Sequence, residues 1–143
     1  MNVGVIVPVE WTRARYIISD DCQKIDLDKV CELLADTYWA ESRPRHAIEE
    51  SIKNSIVFGM YTDGKMVGFA RVTTDRAVFG WVSDVIISPE FRGEGLGTWL
   101  MECVFDHSVI SKLGRLGLAT KDAHGLYEKF GFQRREVMML RRD

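Results

Sequence analysis

The chain has 143 residues, 46% apolar and 28% charged, an ordinary globular mixture that excludes a disordered or fibrous protein. Its length suits one compact domain, residues 1–143. Lysine and arginine total 19 against 21 aspartates and glutamates, split nine to eleven over residues 1–72 and ten to ten beyond, so neither half is a basic platform for nucleic acid.

Residues Val3 to Val9 are apolar but too short for a membrane span, and no basic residue precedes them as in a secretory leader. They read as a strand or an extended arm, with residues 1–15 standing ahead of the main elements. Cys22, Cys31 and Cys103 form no CxxC pair, which fits a reducing, cytoplasmic setting and burial as small apolar side chains. His46, His107 and His124 lack ligand spacing, so no metal site is expected.

The periodicity then predicts elements joined by short connections. Tyr16 to Ser19 is a short strand. Leu27, Val30, Cys31, Leu34, Ala35 and Tyr38 recur at helical spacing behind Asp26 as N-cap. A second helix starts near Pro44, with Ala47, Ile48 and Ile52 on its apolar face. Ile56–Tyr61 and Met66–Thr73 are strands joined by Asp63-Gly64, a tight-turn signal, and Val78–Ile87 completes an antiparallel meander.

From Gly95 to His107 a helix is apolar nearly all round and should be buried on most sides. A strand near Leu116–Thr120 and a helix bearing Ala123, Leu126, Tyr127 and Phe130, closed by Gly131, follow. Phe132–Arg134 and Val137–Leu140 read as two final strands. The order β-α-α-β-β-β-α-β-α-β-β describes an α/β (α+β) fold with a mixed sheet.

The segment from Val85 to Thr98 carries the chemistry. An apolar strand stops at Pro89, and Gly93, Gly95 and Gly97 open a helix. Glycines allow close backbone approach, and a helix start offers unpaired N–H groups at a positive dipole end. Together they suit a phosphate or diphosphate. A P-loop is excluded because no Gly-Lys pair occurs there, and a dinucleotide loop because the third glycine is missing in either frame. R-x-x-G-x-G fits, from Arg92 through Gly95 to Gly97.

With that loop, and with Tyr127-Glu128-Lys129-Phe130-Gly131-Phe132 matching a Y-x-x-x-G-F ending, the chain resembles the GNAT superfamily of N-acetyltransferases. The resemblance covers nearly the whole chain, from Tyr16 to Leu140. It implies acetyl-coenzyme A as cosubstrate and a small-molecule or peptide amine as acceptor. The even charge balance and the lack of a long apolar run are the reasons to expect neither nucleic acid nor membrane as partner. Val85, Ile86 and Ile87 would pair with the pantetheine arm. Amides of Arg92, Gly93, Glu94, Gly95, Leu96, Gly97 and Thr98 would hold the diphosphate. Tyr127 stands where the family's general acid stands. Thr120 occupies a position where many members contact the cofactor through asparagine. Homodimers are common in that family; the apolar N-terminal arm and the tryptophans are the features that suggest one here.

Direct transfer needs a neutral amine, a donor for the developing oxyanion and an acid for the leaving thiolate. Asp84, inside an apolar strand, is the candidate base; a structural hydrogen-bond acceptor is the other use for it. Tyr127 is also at a spacing that suits core packing. Trp39 and Trp81 are candidates for an acceptor pocket, and Arg43 and Arg45 would suit an acidic acceptor. A non-catalytic acyl-coenzyme A binding module would use the same loop.

Overall fold

The computed structural model describes residues 7–142. A six-stranded sheet runs in chain order: β1 (Glu10–Arg13), β2 (Tyr16–Ser19), β3 (Ile56–Thr62), β4 (Lys65–Thr74), β5 (Phe79–Ile87) and β6 (Arg115–Leu118). Neighbours are antiparallel except β5 and β6, which are parallel. The helices are α1 (Leu27–Ala35), α2 (Arg45–Lys53), α3 (Leu96–Asp106) and α4 (His124–Glu128). The mixed α/β architecture expected from sequence is present.

Period two explains the two cores. Ile56, Phe58 and Met60 of β3 pack on the side of Leu100, Met101 and Val104 from α3. Val57, between them, packs on the other side with Val30, Leu34 and Ile48 from α1 and α2. A strand covered on both faces should be apolar on both, as β3 is from Ile56 to Met60. Asp63 and Gly64 take φ of 50° and 73°, so the β3–β4 hairpin turns through two left-handed residues. Asp26 caps α1 by accepting from the Lys29 N–H at 3.1 Å.

Three expectations are corrected: the strands at Phe132–Arg134 and Val137–Leu140, and the burial of Cys22. Val3–Ile6 lie outside the described residues. Val7 to Val9 form no strand; the extra strand of the first fifteen residues is β1, which pairs with β2. Residues 132–142 form no strand either. Their sequence is strand-like, but no ladder partner lies beside them among the described residues. Cys22 is exposed, because a short 3-10 turn carries it over the surface, whereas Cys103 is buried in α3.

Candidate active site

The β5–β6 ladder runs only from Phe79↔Arg115 to Val82↔Leu118. Beyond Val82, one edge of β5 has no strand neighbour, and the chain after β6 diverges toward α4. The cleft so opened holds two adjoining cavities, about 480 and 600 Å³, with Tyr38, Trp39, Val85, Asp122, Ala123 and Tyr127 lining both.

The larger cavity runs along Val85, Ile86 and Ile87 to Arg92, Gly93, Gly95, Leu96 and Gly97. The loop is held from below. Arg92 Nε donates to the Ile87 carbonyl at 3.0 Å, and the Tyr16 hydroxyl donates to Glu94 at 3.3 Å. Glu94 thus faces Tyr16 and, like Thr98, is not on the cavity wall. Gly93 and Gly95 have φ of 86° and 77°, the left-handed region that glycine enters freely. Gly97 has no such constraint, and a Cβ there would meet nothing nearer than Ile87 Cγ1 at 4.0 Å. A glycine in the first turn of α3 costs about 1 kcal/mol against alanine. Internal packing does not require it, so the space is left for something outside the chain. Free N–H groups of the α3 start border the same space. The loop therefore fits a diphosphate.

The smaller cavity is aromatic, with Tyr38, Trp39, Trp81 and Tyr127 on its walls. The Tyr38 and Trp39 rings meet edge to face at 5.1 Å, and Lys121 Nζ lies 5.3 Å over the Tyr38 ring. Gly117 lies opposite Trp81 in the β5–β6 register, and its missing side chain lets the indole lie against β6.

Asp84 sits where β5 bulges: Phe69↔Ile86 is followed by Arg71↔Ser83, so two residues of β5 face one of β4. Its φ of 56° is uncommon outside glycine. The bulge turns its carboxylate inward, with the side chain only 2% exposed. Trp39 Nε1 donates to Oδ1 at 3.1 Å, while Arg43 Nη1 and Arg71 Nε donate to Oδ2 at 2.8 and 3.0 Å. Arg71 also donates to Ser55 and Thr73. The candidate base is thus the centre of an ion cluster. Arg71 was not anticipated, although a lone cation inside an apolar strand was a readable signal.

Tyr127 is carried by α4, a single turn closed at Gly131, whose φ is 95°. The Phe132 N–H returns to the Tyr127 carbonyl, a Schellman-type closure. Burial, reinforced by Tyr38, pushes the Tyr127 phenol above its ordinary value of 10.0. Thr120 lines the aromatic cavity, not the glycine-rich one, and its hydroxyl accepts from the Ala123 N–H. Arg45 pairs with Asp28 on the surface, away from both cavities.

Residues 53–134 match the family described as Acetyltransferase (GNAT) domain. A crystal structure from Xanthomonas campestris pv. campestris, of a protein assigned to the GNAT family, superposes with a TM-score of 0.85 at 36% identity over 92% of this chain and 96% of that one. An acetyltransferase-named protein of Gibberella zeae is 28% identical over 70% of this chain and 68% of its own length. The N-acetyltransferase ycf52 of Pyropia yezoensis is 30% identical over 75% of this chain, which spans 63% of that relative. Among the described residues, no helix is long and apolar enough to cross a membrane. The loop, the cleft and these likenesses agree, and the chain belongs to the GNAT family of acetyltransferases.

Proposed function

We propose that the chain is an acetyl-coenzyme A-dependent N-acetyltransferase that passes the acetyl group directly to a primary amine on a small molecule or peptide. The observation that carries this reading is the junction of the two cavities at Val85 and Tyr127. One leads to the glycine loop, the other opens between aromatic side chains.

Bound acetyl-coenzyme A would supply an acetyl group activated as a thioester. Main-chain amides of the loop residues that line the larger cavity, Arg92, Gly93, Gly95, Leu96 and Gly97, would hold its diphosphate, and the unpaired edge of Val85–Ile87 would take its pantetheine arm. The Val85 N–H is the candidate donor to the thioester carbonyl. Tyr127 donates its phenol proton to the departing thiolate. A pKa raised by burial supports this role, because the phenol stays protonated at neutral pH.

The amine enters from the aromatic cavity. Asp84 spends its oxygens on three protein donors. We assign it as the residue that positions Arg43 and Trp39, and we assign proton removal from the amine to water. Thr120, tied to Ala123, belongs to the acceptor side. The free cysteines suit a reducing compartment such as the cytoplasm.

Calorimetry with coenzyme A and a thiol-release assay over a panel of amines test the proposal. Binding, together with amine-dependent thiol release that falls in Tyr127→Phe, is expected. Absence of coenzyme A binding would overturn it. Binding without turnover across a broad panel would replace it with a non-catalytic acyl-coenzyme A binding module.

A further inference from the structure

Glu94 is the one acidic residue between Arg92 and Thr98, and its charge opposes the use assigned to that loop. It stands between Gly93 and Gly95, both on the wall of the larger cavity, so its carboxylate is within a side chain's length of that space. Two anions so close repel. A carboxylate at the start of a helix is also drawn to the free N–H groups there. Left to itself, Glu94 would compete with a bound diphosphate for the same donors.

The carboxylate is instead turned to the other side of the loop. Its one hydrogen bond among the described residues is accepted from the Tyr16 hydroxyl at 3.3 Å. Tyr16 is buried at the start of β2, with its ring edge-on to Phe91, itself on the cavity wall. A phenol has one proton to give. Arg15 Nη2 donates to the Tyr16 oxygen at 2.9 Å, which leaves that proton for Glu94. The Arg15 guanidinium also lies 5.0 Å over the Tyr16 ring and 5.8 Å over the Phe91 ring. The chain of contacts therefore has one direction, guanidinium to phenol to carboxylate. Arg13 pairs with Tyr16, so Ala14 and Arg15 alone make the turn from β1 to β2, and Ala14 takes a φ of 50°. A turn this short fixes where Arg15 can reach.

We infer that Arg15 and Tyr16 are positioning residues for the cosubstrate: they hold the Glu94 carboxylate behind the loop, so that the N–H groups at the α3 start are free for the diphosphate. Without the phenol proton the carboxylate turns to those N–H groups and acts as a built-in competitor. The inference rests on the coenzyme A part of the reading above and is independent of turnover.

Calorimetry with coenzyme A, alongside thermal unfolding, tests it on the wild type, Tyr16→Phe, Arg15→Gln, and each of these variants combined with Glu94→Gln. Tyr16→Phe keeps the ring and should bind about fivefold more weakly, the scale of an exposed charged contact. The loss should be larger at low salt than at high salt. Adding Glu94→Gln should restore the wild-type affinity although the phenol is still absent, because an amide carries no charge. Arg15→Gln lies on the surface and should weaken binding in the same sense, again repaired by Glu94→Gln; this pair decides if Tyr16→Phe does not fold. Wild-type affinity in the folded single variants overturns the inference. So does a loss that Glu94→Gln leaves in place, since the loop is then merely loosened or Arg15 meets the ligand itself. A wild type without affinity for coenzyme A overturns the coenzyme A reading together with this inference, whereas a binding wild type with equally tight variants overturns this inference alone.

Discussion

Arg43 Nη1 lies 2.8 Å from Asp84 Oδ2, joining the loop between α1 and α2 to the bulge of β5 across 41 positions of sequence. Arg71 Nε reaches the same oxygen at 3.0 Å from β4. Three elements therefore share one buried anion, and two of them, the loop and β5, border the aromatic cavity. Two guanidinium groups neutralise it, and the Trp39 indole satisfies its other oxygen. A lone carboxylate could not be kept there without such partners.

Removing that anion should therefore cost more than its size suggests. Asp84→Ala is expected to lose about 2–4 kcal/mol, because two part-buried cations lose their partner. Asp84→Gly loses the same contacts but relieves the φ of 56°, so it should be more stable than the alanine variant by about 1 kcal/mol. Urea unfolding of the two variants checks the order. Equal stabilities would show that the bulge backbone is not strained.

Tyr127→Phe should lower kcat by about 10²-fold or more while leaving the acceptor KM nearly unchanged, as for loss of a proton donor used in the chemical step. Burial raises the phenol above 10.0, so the acid form persists through pH 7–9 and is lost only above 10. A pH–rate profile should show an alkaline limb in the wild type that disappears in the variant. A rate independent of this substitution at every pH would remove the tyrosine from the mechanism.

Local signals were legible and long-range ones were not. Asp63-Gly64 marked a hairpin because the turn chemistry lies in two adjacent residues. Gly93, Gly95 and Gly97 pointed to a ligand loop because three alternating glycines at a helix start are a local pattern. The left-handed φ of Gly93 and Gly95 accounts for two of them, and only Gly97 has no conformational reason. The Asp84 cluster combines Trp39, Arg43 and Arg71 from two other segments, and one-dimensional spacing does not bring those together. Asp84 and Arg71 were each odd charges in apolar strands, and pairing the two was the missed step. Thr120 was placed by alignment with a motif, yet it lies on the other cavity because the chain diverges after Leu118. For Val137–Leu140 the period-two reading predicts a strand, and the structure forms none there, since strand-like composition does not by itself supply a ladder partner.

Gly97→Ala separates folding from binding. Alanine is the better helix residue, by up to about 1 kcal/mol, and its Cβ meets no protein atom closer than 4.0 Å. The variant should be at least as stable as the wild type. Its coenzyme A affinity should fall by about tenfold, equivalent to about 1.4 kcal/mol. Thermal unfolding and calorimetry give the two numbers. Unchanged affinity would mean that the diphosphate does not approach this residue.

Stability should decline in alkali. Burial pushes the Cys103 thiol from 9.0 to about 12, and the half-buried Tyr61 phenol from 10.0 to about 12. Between the unfolded and folded values, the unfolded chain has released protons that the native chain retains. The unfolded state then binds fewer protons, so unfolding becomes more favourable as pH rises. The contribution is complete below pH 9 and is lost progressively from 9 toward 12. Urea midpoints of the wild type and Cys103→Val from pH 8 to 11 test the sign. The variant should have the shallower decline, starting nearer 10 than 9.

Gly117→Val tests how β6 shapes the acceptor cavity. A Cβ at this position would stand 2.8 Å from Trp81 Cε3 and Cζ3, too close for the ring to stay. The indole must move off β6, and the crowding should cost about 1–3 kcal/mol. Because Trp81 lines the aromatic cavity alone, the acceptor KM should rise while coenzyme A binding holds. Gly114→Ala is the control, since its nearest contact is the Val78 carbonyl at 3.9 Å. Adding Trp81→Leu to Gly117→Val should recover stability by removing the clash, yet leave the acceptor KM high because the ring is gone. Recovery of both would mean that the indole contributes nothing to acceptor binding and that the cavity's other aromatic side chains suffice.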